Sequence, residues 1–233
     1  MIHKLYFILF VLFPIILSAQ SFSRYGAEDT RFPNVDRNYT LEFPNDHLPH
    51  NEYRIEWWYL TANLRTADMR EYGTQWTLFR NLLQPQEREE KNPGMKYEDI
   101  NWKNNQIWLG HIALTSSKKH YFAEKIARGG TSQAGISLDP FFAWIDDWEL
   151  SGTNDWSDMK VKVSTKDFSY NLNLKSQKPF IYHGENGYSE KTLNGGASIY
   201  YSQPFFKVSG WIMENNRRHE VTGTAWLDRE WSS

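Results

Sequence analysis

Phe168-Ser169-Tyr170-Asn171-Leu172-Asn173-Leu174-Lys175 decides the fold class. Phe168, Tyr170, Leu172 and Leu174 recur at every second position, and Ser169, Asn171, Asn173 and Lys175 fill the gaps, so an extended chain has one dry face and one wet face. A helix would scatter the same residues around its circumference. The preceding run repeats the pattern, with Met159, Val161 and Val163 set against Lys160, Lys162 and Ser164. Short polar links such as Gly152–Asp158 and Glu214–Arg217 read as hairpin turns, which favours antiparallel neighbours.

Working outward, β-type runs recur at Glu56–Leu64, Gln75–Leu83, Trp108–Ser116, His120–Ala127, Phe141–Ile145, Trp148–Ser151, Met159–Ser164, Phe168–Lys175, Ala197–Ser202, Phe205–Met213 and Glu220–Trp231. No helical stripe of comparable strength follows the first 20 residues. The pattern predicts an all-β domain over 56–233, an up-and-down antiparallel barrel. Two longer links, Gln84–Asn105 and Ser176–Gly196, are candidate lids over a barrel mouth.

The two-residue period also sets a register. Trp58, Leu60 and Ala62, then Trp76 and Leu78, then Trp108, Ile112 and Leu114 share faces assigned to the interior, which puts His111 outside. Glu56 and Arg80 fall on that inward face at adjoining strand ends, predicting a structural ion pair.

Before the barrel, residues 21–55 are polar and turn-rich, with Pro33, Pro44 and Pro49, and read as an extended lead-in over the domain surface. The first 20 residues carry Lys4, an apolar run from Leu5 to Leu17 broken by Pro14, and then Ser18, Ala19, Ser21 and Ser23. That run is shorter than the roughly 20 residues of a spanning helix, so it reads as a cleavable signal peptide and the expected location is periplasmic or secreted. The absence of cysteine excludes disulfides, thiolate metal ligands and a lipid-modified cysteine.

Composition narrows the partners. A net charge of −2 without a Lys/Arg cluster argues against nucleic acid. The aromatic share of 16%, including 11 Trp, exceeds what packing alone usually needs and points to a lined cavity and a hydrophobic small molecule. Trp58, Trp76, Leu78, Trp108, Tyr200 and Trp226 are the candidate ligand-binding residues. His47-Leu48-Pro49-His50 has the spacing to hold a metal, but Pro49 interrupts a helix and no third ligand stands nearby, so solvent exposure is expected and neither metal nor cofactor is predicted. Gly187-Tyr188-Ser189-Glu190-Lys191 lacks the second glycine of a nucleophile elbow.

Several strings, taken in order, carry a resemblance: Glu56-Trp57-Trp58-Tyr59-Leu60, Gln75-Trp76-Thr77-Leu78-Phe79-Arg80, Gly110-His111-Ile112-Ala113-Leu114-Thr115, Tyr182-His183-Gly184 and Val221-Thr222-Gly223-Thr224-Ala225-Trp226-Leu227-Asp228-Arg229-Glu230-Trp231. They resemble the amino-terminal domain of the carotenoid hydratase (hydroxyneurosporene synthase) and AttH-type secreted protein family, and sit closer to its AttH-type branch. The resemblance implies the first of two tandem lipocalin-like barrels. It further implies an isoprenoid or fatty-acid-like ligand, handling of lipid or lipoprotein, and a second barrel or an ABC exporter as partner. In longer members the Asp-Arg-Glu-Trp segment leads into the second barrel, so a chain ending at Ser233 is expected to be a truncated or single-barrel form.

The resemblance also implies an alternative, a hydro-lyase that adds water to an isoprenoid double bond. Such chemistry needs an acid to protonate carbon, and aromatic faces that tolerate the cation. Asp228 and Glu230, about 7 Å apart on one face of the last strand beside Trp226, are the candidate carboxylates. His183, in a loop, is a candidate acid or base. A second reading stays open, in which Asp228 and Glu230 belong to a solvated face or a seam against another domain while Arg229 and Trp231 point inward.

Overall fold

The computed structural model describes residues 31–85, 105–192 and 196–233. The first 20 residues, expected to be a signal peptide, and most of the Gln84–Asn105 link lie outside the described residues.

The chain folds as an antiparallel, nearly closed, lipocalin-like barrel. Its strands are β1 (Ile55–Arg65), β2 (Glu71–Leu82), β3 (Gln106–Ser116), β4 (His120–Arg128), β5 (Ala134–Ser137), β6 (Phe141–Ile145), β7 (Trp148–Gly152), β8 (Asp158–Ser164), β9 (Phe168–Lys175), β10 (Ile181–Tyr182), β11 (Tyr188–Glu190), β12 (Ala197–Glu214) and β13 (Arg217–Ser232). They form one sheet in the order β4-β3-β2-β1-β13-β12-β9-β8-β7-β6-β5. Pairing of β1 with β13 joins the two ends of the chain, so the break in the ring falls between β4 and β5, which are neighbours in sequence.

That seam is closed by side chains. Lys125 on β4 forms ion pairs with Asp146 and Asp147 in the β6–β7 turn and lies over the Trp148 ring. Opposite, Ile145 packs onto Gly110 of β3, where an added Cβ would stand 2.6 Å from Ile145 Cγ2. A glycine at this inward position is what lets the hairpin approach.

β12 runs unbroken through what the sequence reads as two strands. Between Gln203 and Phe206 the register shifts, so that Pro204 and Phe205 together oppose Trp226. This is a bulge, which absorbs the proline's missing N–H without ending the strand. It holds Phe205 at φ 56 and turns its ring outward, 53% exposed. The short β5, β10 and β11 escape sequence reading because two to four residues show no period. β10 and β11 both pair with β12 beyond the end of β9, so the three act as one interrupted neighbour strand.

The predicted inward faces hold. Trp58, Leu60, Ala62, Trp76, Leu78, Trp108, Ile112 and Leu114 are all buried, and His111 is exposed. The aromatic excess corrects the expectation of a lined lumen, because these rings fill the interior. Trp58, Trp76, Trp156, Trp231, Tyr170, Tyr201, Phe141 and Phe206 are each under 2% exposed and belong to one continuous core.

The lead-in does not merely lie over the surface. Phe32, Val35, Asp46, His47 and Tyr53 are buried, and a 3-10 turn at Asn45–His47 plugs one end of the barrel.

Candidate functional site

Two polar clusters stand on opposite sides of the β1–β13–β12 strands. The inner one is centred on Glu56, fully buried between Arg80 and Arg229, which are themselves fully buried. Burial alone would raise the Glu56 carboxyl, but Arg229, His50, whose backbone N–H donates to the carboxylate at 3.0 Å, and Arg80 outweigh it and hold the group well below the usual carboxylate range. Spare guanidinium donors tie down the lead-in: Arg80 Nη2 donates to the carbonyls of His50 (2.8 Å) and Tyr53 (2.9 Å), and Arg229 Nη2 to that of Leu48 (2.8 Å). Arg229 is also sandwiched between the rings of Trp58 and Trp231, at 4.0 and 4.8 Å.

His50 and His47 are the two histidines of the His-x-x-His spacing; His47 is fully buried and the His50 side chain is only 10% exposed, so the expectation of solvent exposure is wrong for each. His50 stacks on Trp231 at 3.7 Å. Its Nδ1 lies 3.0 Å from Arg229 Nη2 and its Nε2 3.0 Å from Asp46 Oδ1. His47 stacks on Trp156 at 3.8 Å, and its Nδ1 lies 2.6 Å from the Tyr201 hydroxyl. Burial, then the positive field of Arg229, pushes His47 down to about 3, so it is neutral at physiological pH. Its Nε2 has no partner among the described residues. The two rings face different partners, and among the described residues no group of three metal-ligating side chains forms. This inner cluster is a structural lock; of its members only Glu56 and Arg80 were paired from the sequence.

The outer cluster is where the candidate catalytic residues lie. β13 turns Leu227, Arg229 and Trp231 inward and Trp226, Asp228 and Glu230 outward. Asp228 Oδ1 accepts from Trp226 Nε1 (2.6 Å), from the Tyr200 hydroxyl (3.1 Å) and from Ser202 Oγ. All three bonds go to one oxygen, and Oδ2 has no partner among the described residues. Burial and then Asp228 push the Tyr200 hydroxyl up to about 12, so it stays a donor.

His183 joins the cluster through Ser202, with Nε2 at 2.6 Å from Oγ, and stacks on Tyr200 at 3.8 Å. The turn that delivers His183 needs Gly184, whose φ of 66 and close approach to the Tyr188 carbonyl leave no room for a Cβ. Because Ser202 Oγ–H is given to Asp228, the hydroxyl accepts from His183 and is not aimed as a nucleophile. Glu230 stands apart: Ser198 Oγ donates to it at 2.5 Å and Lys191 Nζ pairs with it at 2.7 Å.

The six candidate ligand-binding residues divide between the clusters. Trp58, Trp76, Leu78 and Trp108 lie in the filled core, and Tyr200 and Trp226 lie outside, beside Asp228. Around these two the outer surface is unusually apolar, with Phe205, Ile181 and Tyr182 at 53%, 39% and 47% exposure.

The AttH-like family model matches residues 34–233. The chain belongs to that family. An AttH-type protein from Nitrosomonas europaea is 34% identical to this AttH-like chain over 87% of its length, with a TM-score of 0.71. Kievitone hydratase from Nectria haematococca shares the fold at 10% identity and a TM-score of 0.60 over 87% of the chain, and CghA, in a structure with Sch210972, does so at 12% identity and 0.53 over 88%. The chain spans only 58%, 55% and 53% of these three proteins. No match was found among curated protein sequences.

Proposed function

We propose that this AttH-like domain is exported by its first 20 residues and holds an elongated hydrophobic molecule, isoprenoid or fatty-acid-like, on the outer face of the barrel. The observation that carries the reading is the division of the aromatic residues. The inward rings are packed to near-zero exposure, whereas Trp226, Tyr200, Phe205 and Tyr182 surround a polar centre that remains accessible. A second lipocalin-like barrel is the partner that would roof this face.

Displacement of the neutral fluorophore N-phenyl-1-naphthylamine tests it. Losing one large aromatic contact, worth about 1.5–3 kcal/mol, weakens binding roughly 10- to 100-fold in Trp226→Ala. Native affinity in that variant, together with no lipid recovered from protein purified from its host, would sink the proposal.

A second reading, hydration of a carbon–carbon double bond, is favoured by one detail: Asp228 presents a free Oδ2 within an aromatic surround while Oδ1 is fixed by three donors. A proton on Oδ2 would pass to one alkene carbon, the Tyr200 and Trp226 rings would face the resulting cation, and a water would add to that cation and return its surplus proton to Oδ2. Hydrated product formed equally by Asp228→Asn, followed by mass spectrometry, rules this out.

A further inference from the structure

Beside the Asp228 cluster the outer face continues into a second concavity. Asp228 pairs across the sheet with Tyr59, Tyr59 with Thr77, Thr77 with His111, and His111 with Glu124. These five residues form one row on the outward side of β13, β1, β2, β3 and β4. Four interstrand steps of about 4.8 Å make the row roughly 19 Å long. Its far part is a cleft of about 370 Å³, with Tyr59, Phe79 and Phe122 among its walls. Phe122 is 72% exposed, and Gln75 Nε2 anchors the Tyr59 hydroxyl at 2.6 Å.

The polar side chains of this cleft decide its chemistry. Thr77, His111 and Glu124 have no side-chain hydrogen-bond partner among the described residues. Between them they offer donors and acceptors within one small space. Neither lysine nor arginine lines the cleft among the described residues, Glu124 is its one acidic side chain, and its second histidine, His120, is engaged with Thr115 at 2.8 Å. A ligand carboxylate placed here would meet a like charge with no cation to offset it. A hydroxyl can donate to Glu124 and accept from His111 or Thr77 at the same time.

We infer that the cleft on β1–β4 receives the polar end of the bound molecule, and that this end is an uncharged hydroxyl. The inference rests on the outer face being the ligand site, and it selects the alcohol over the fatty-acid-like carboxylate.

The test displaces N-phenyl-1-naphthylamine from the intact protein with farnesol, farnesoate and farnesylamine at pH 8. Farnesol is expected to bind about tenfold tighter than farnesoate, an exposed-charge effect. The gap narrows in Glu124→Gln, through better farnesoate binding, and farnesol alone weakens in His111→Ala. Both side chains are exposed, so unchanged melting temperatures confirm that the variants fold. Farnesoate or farnesylamine binding as tightly as farnesol overturns the inference, as does an unaltered preference in both variants, while the outer-face reading survives. If no chain displaces the probe and Trp226→Ala is indifferent, both fall.

Discussion

Replacing Glu56 by glutamine probes the inner cluster with little change of shape. The native carboxylate is fully buried between two fully buried guanidinium groups. Arg80 Nη1 and Arg229 Nε already lack partners among the described residues, so the carboxylate is the principal compensation for both charges. Removing one member of a buried ion pair costs about 3–5 kcal/mol, because the remaining charge stays desolvated. Here two charges remain, which places the expected loss at the upper end of that range. Against a total stability of about 5–15 kcal/mol for a domain, this is severe, and it corresponds to a fall in melting temperature of about 10 °C or more.

The pH dependence has a definite sign. The folded carboxyl is held below its unfolded value, so its contribution is complete above the ordinary carboxylate range near 4.3 and is lost as pH falls towards the folded pKa. Urea unfolding followed by far-UV circular dichroism measures both effects. Glu185→Gln, which touches only the exposed Arg37 pair, serves as the control and leaves the midpoint unchanged. A loss below about 1 kcal/mol for Glu56→Gln would refute the argument that the carboxylate neutralises both arginines.

Three further outcomes follow from the same packing. His47, depressed to about 3 by burial and Arg229, stays neutral when folded, whereas its unfolded form takes up a proton near pH 6.5. Stability therefore falls with acidification between those values, by up to ~1.4 kcal/mol per pH unit, and His47→Phe flattens that part of a calorimetric pH profile. Gly110→Ala pushes a methyl against Ile145 at 2.6 Å and Trp148 at 3.3 Å, and thermal melts should show about 1–3 kcal/mol of destabilisation. Trp156→Ala empties the space stacked on His47 and costs about 3–5 kcal/mol, read by denaturant titration with an unchanged m-value if the denatured state is unaffected.

Much of the barrel was legible because a strand's side-chain period is a local property. Trp58, Trp76 and Trp108 could be assigned inward from alternation alone, and Glu56 and Arg80 met because one hairpin register follows from the same count. Outside that reach lay the continuity of β12, since whether Pro204 ends a strand or bulges it depends on β13 running beside it. The histidines of the lead-in were misread for a related reason. His47 and His50 have no periodic neighbours, and their burial comes from Arg229, some 180 residues away, drawing the segment into the barrel end.

The site divides along the same line. The sequence by itself determined that Trp226, Asp228 and Glu230 share a face opposite Arg229 and Trp231, because consecutive strand residues must point apart. Only the tertiary structure decided that this face is the outer one, that His183 reaches Asp228 through Ser202, and that Glu230 is taken by Lys191. It also decided that the inward tryptophans, Trp58, Trp76 and Trp108 among them, fill the barrel. Alternation says which residues share a side, but whether a side encloses a cavity depends on how closely the opposing strands pack, and that distance is set by the whole ring.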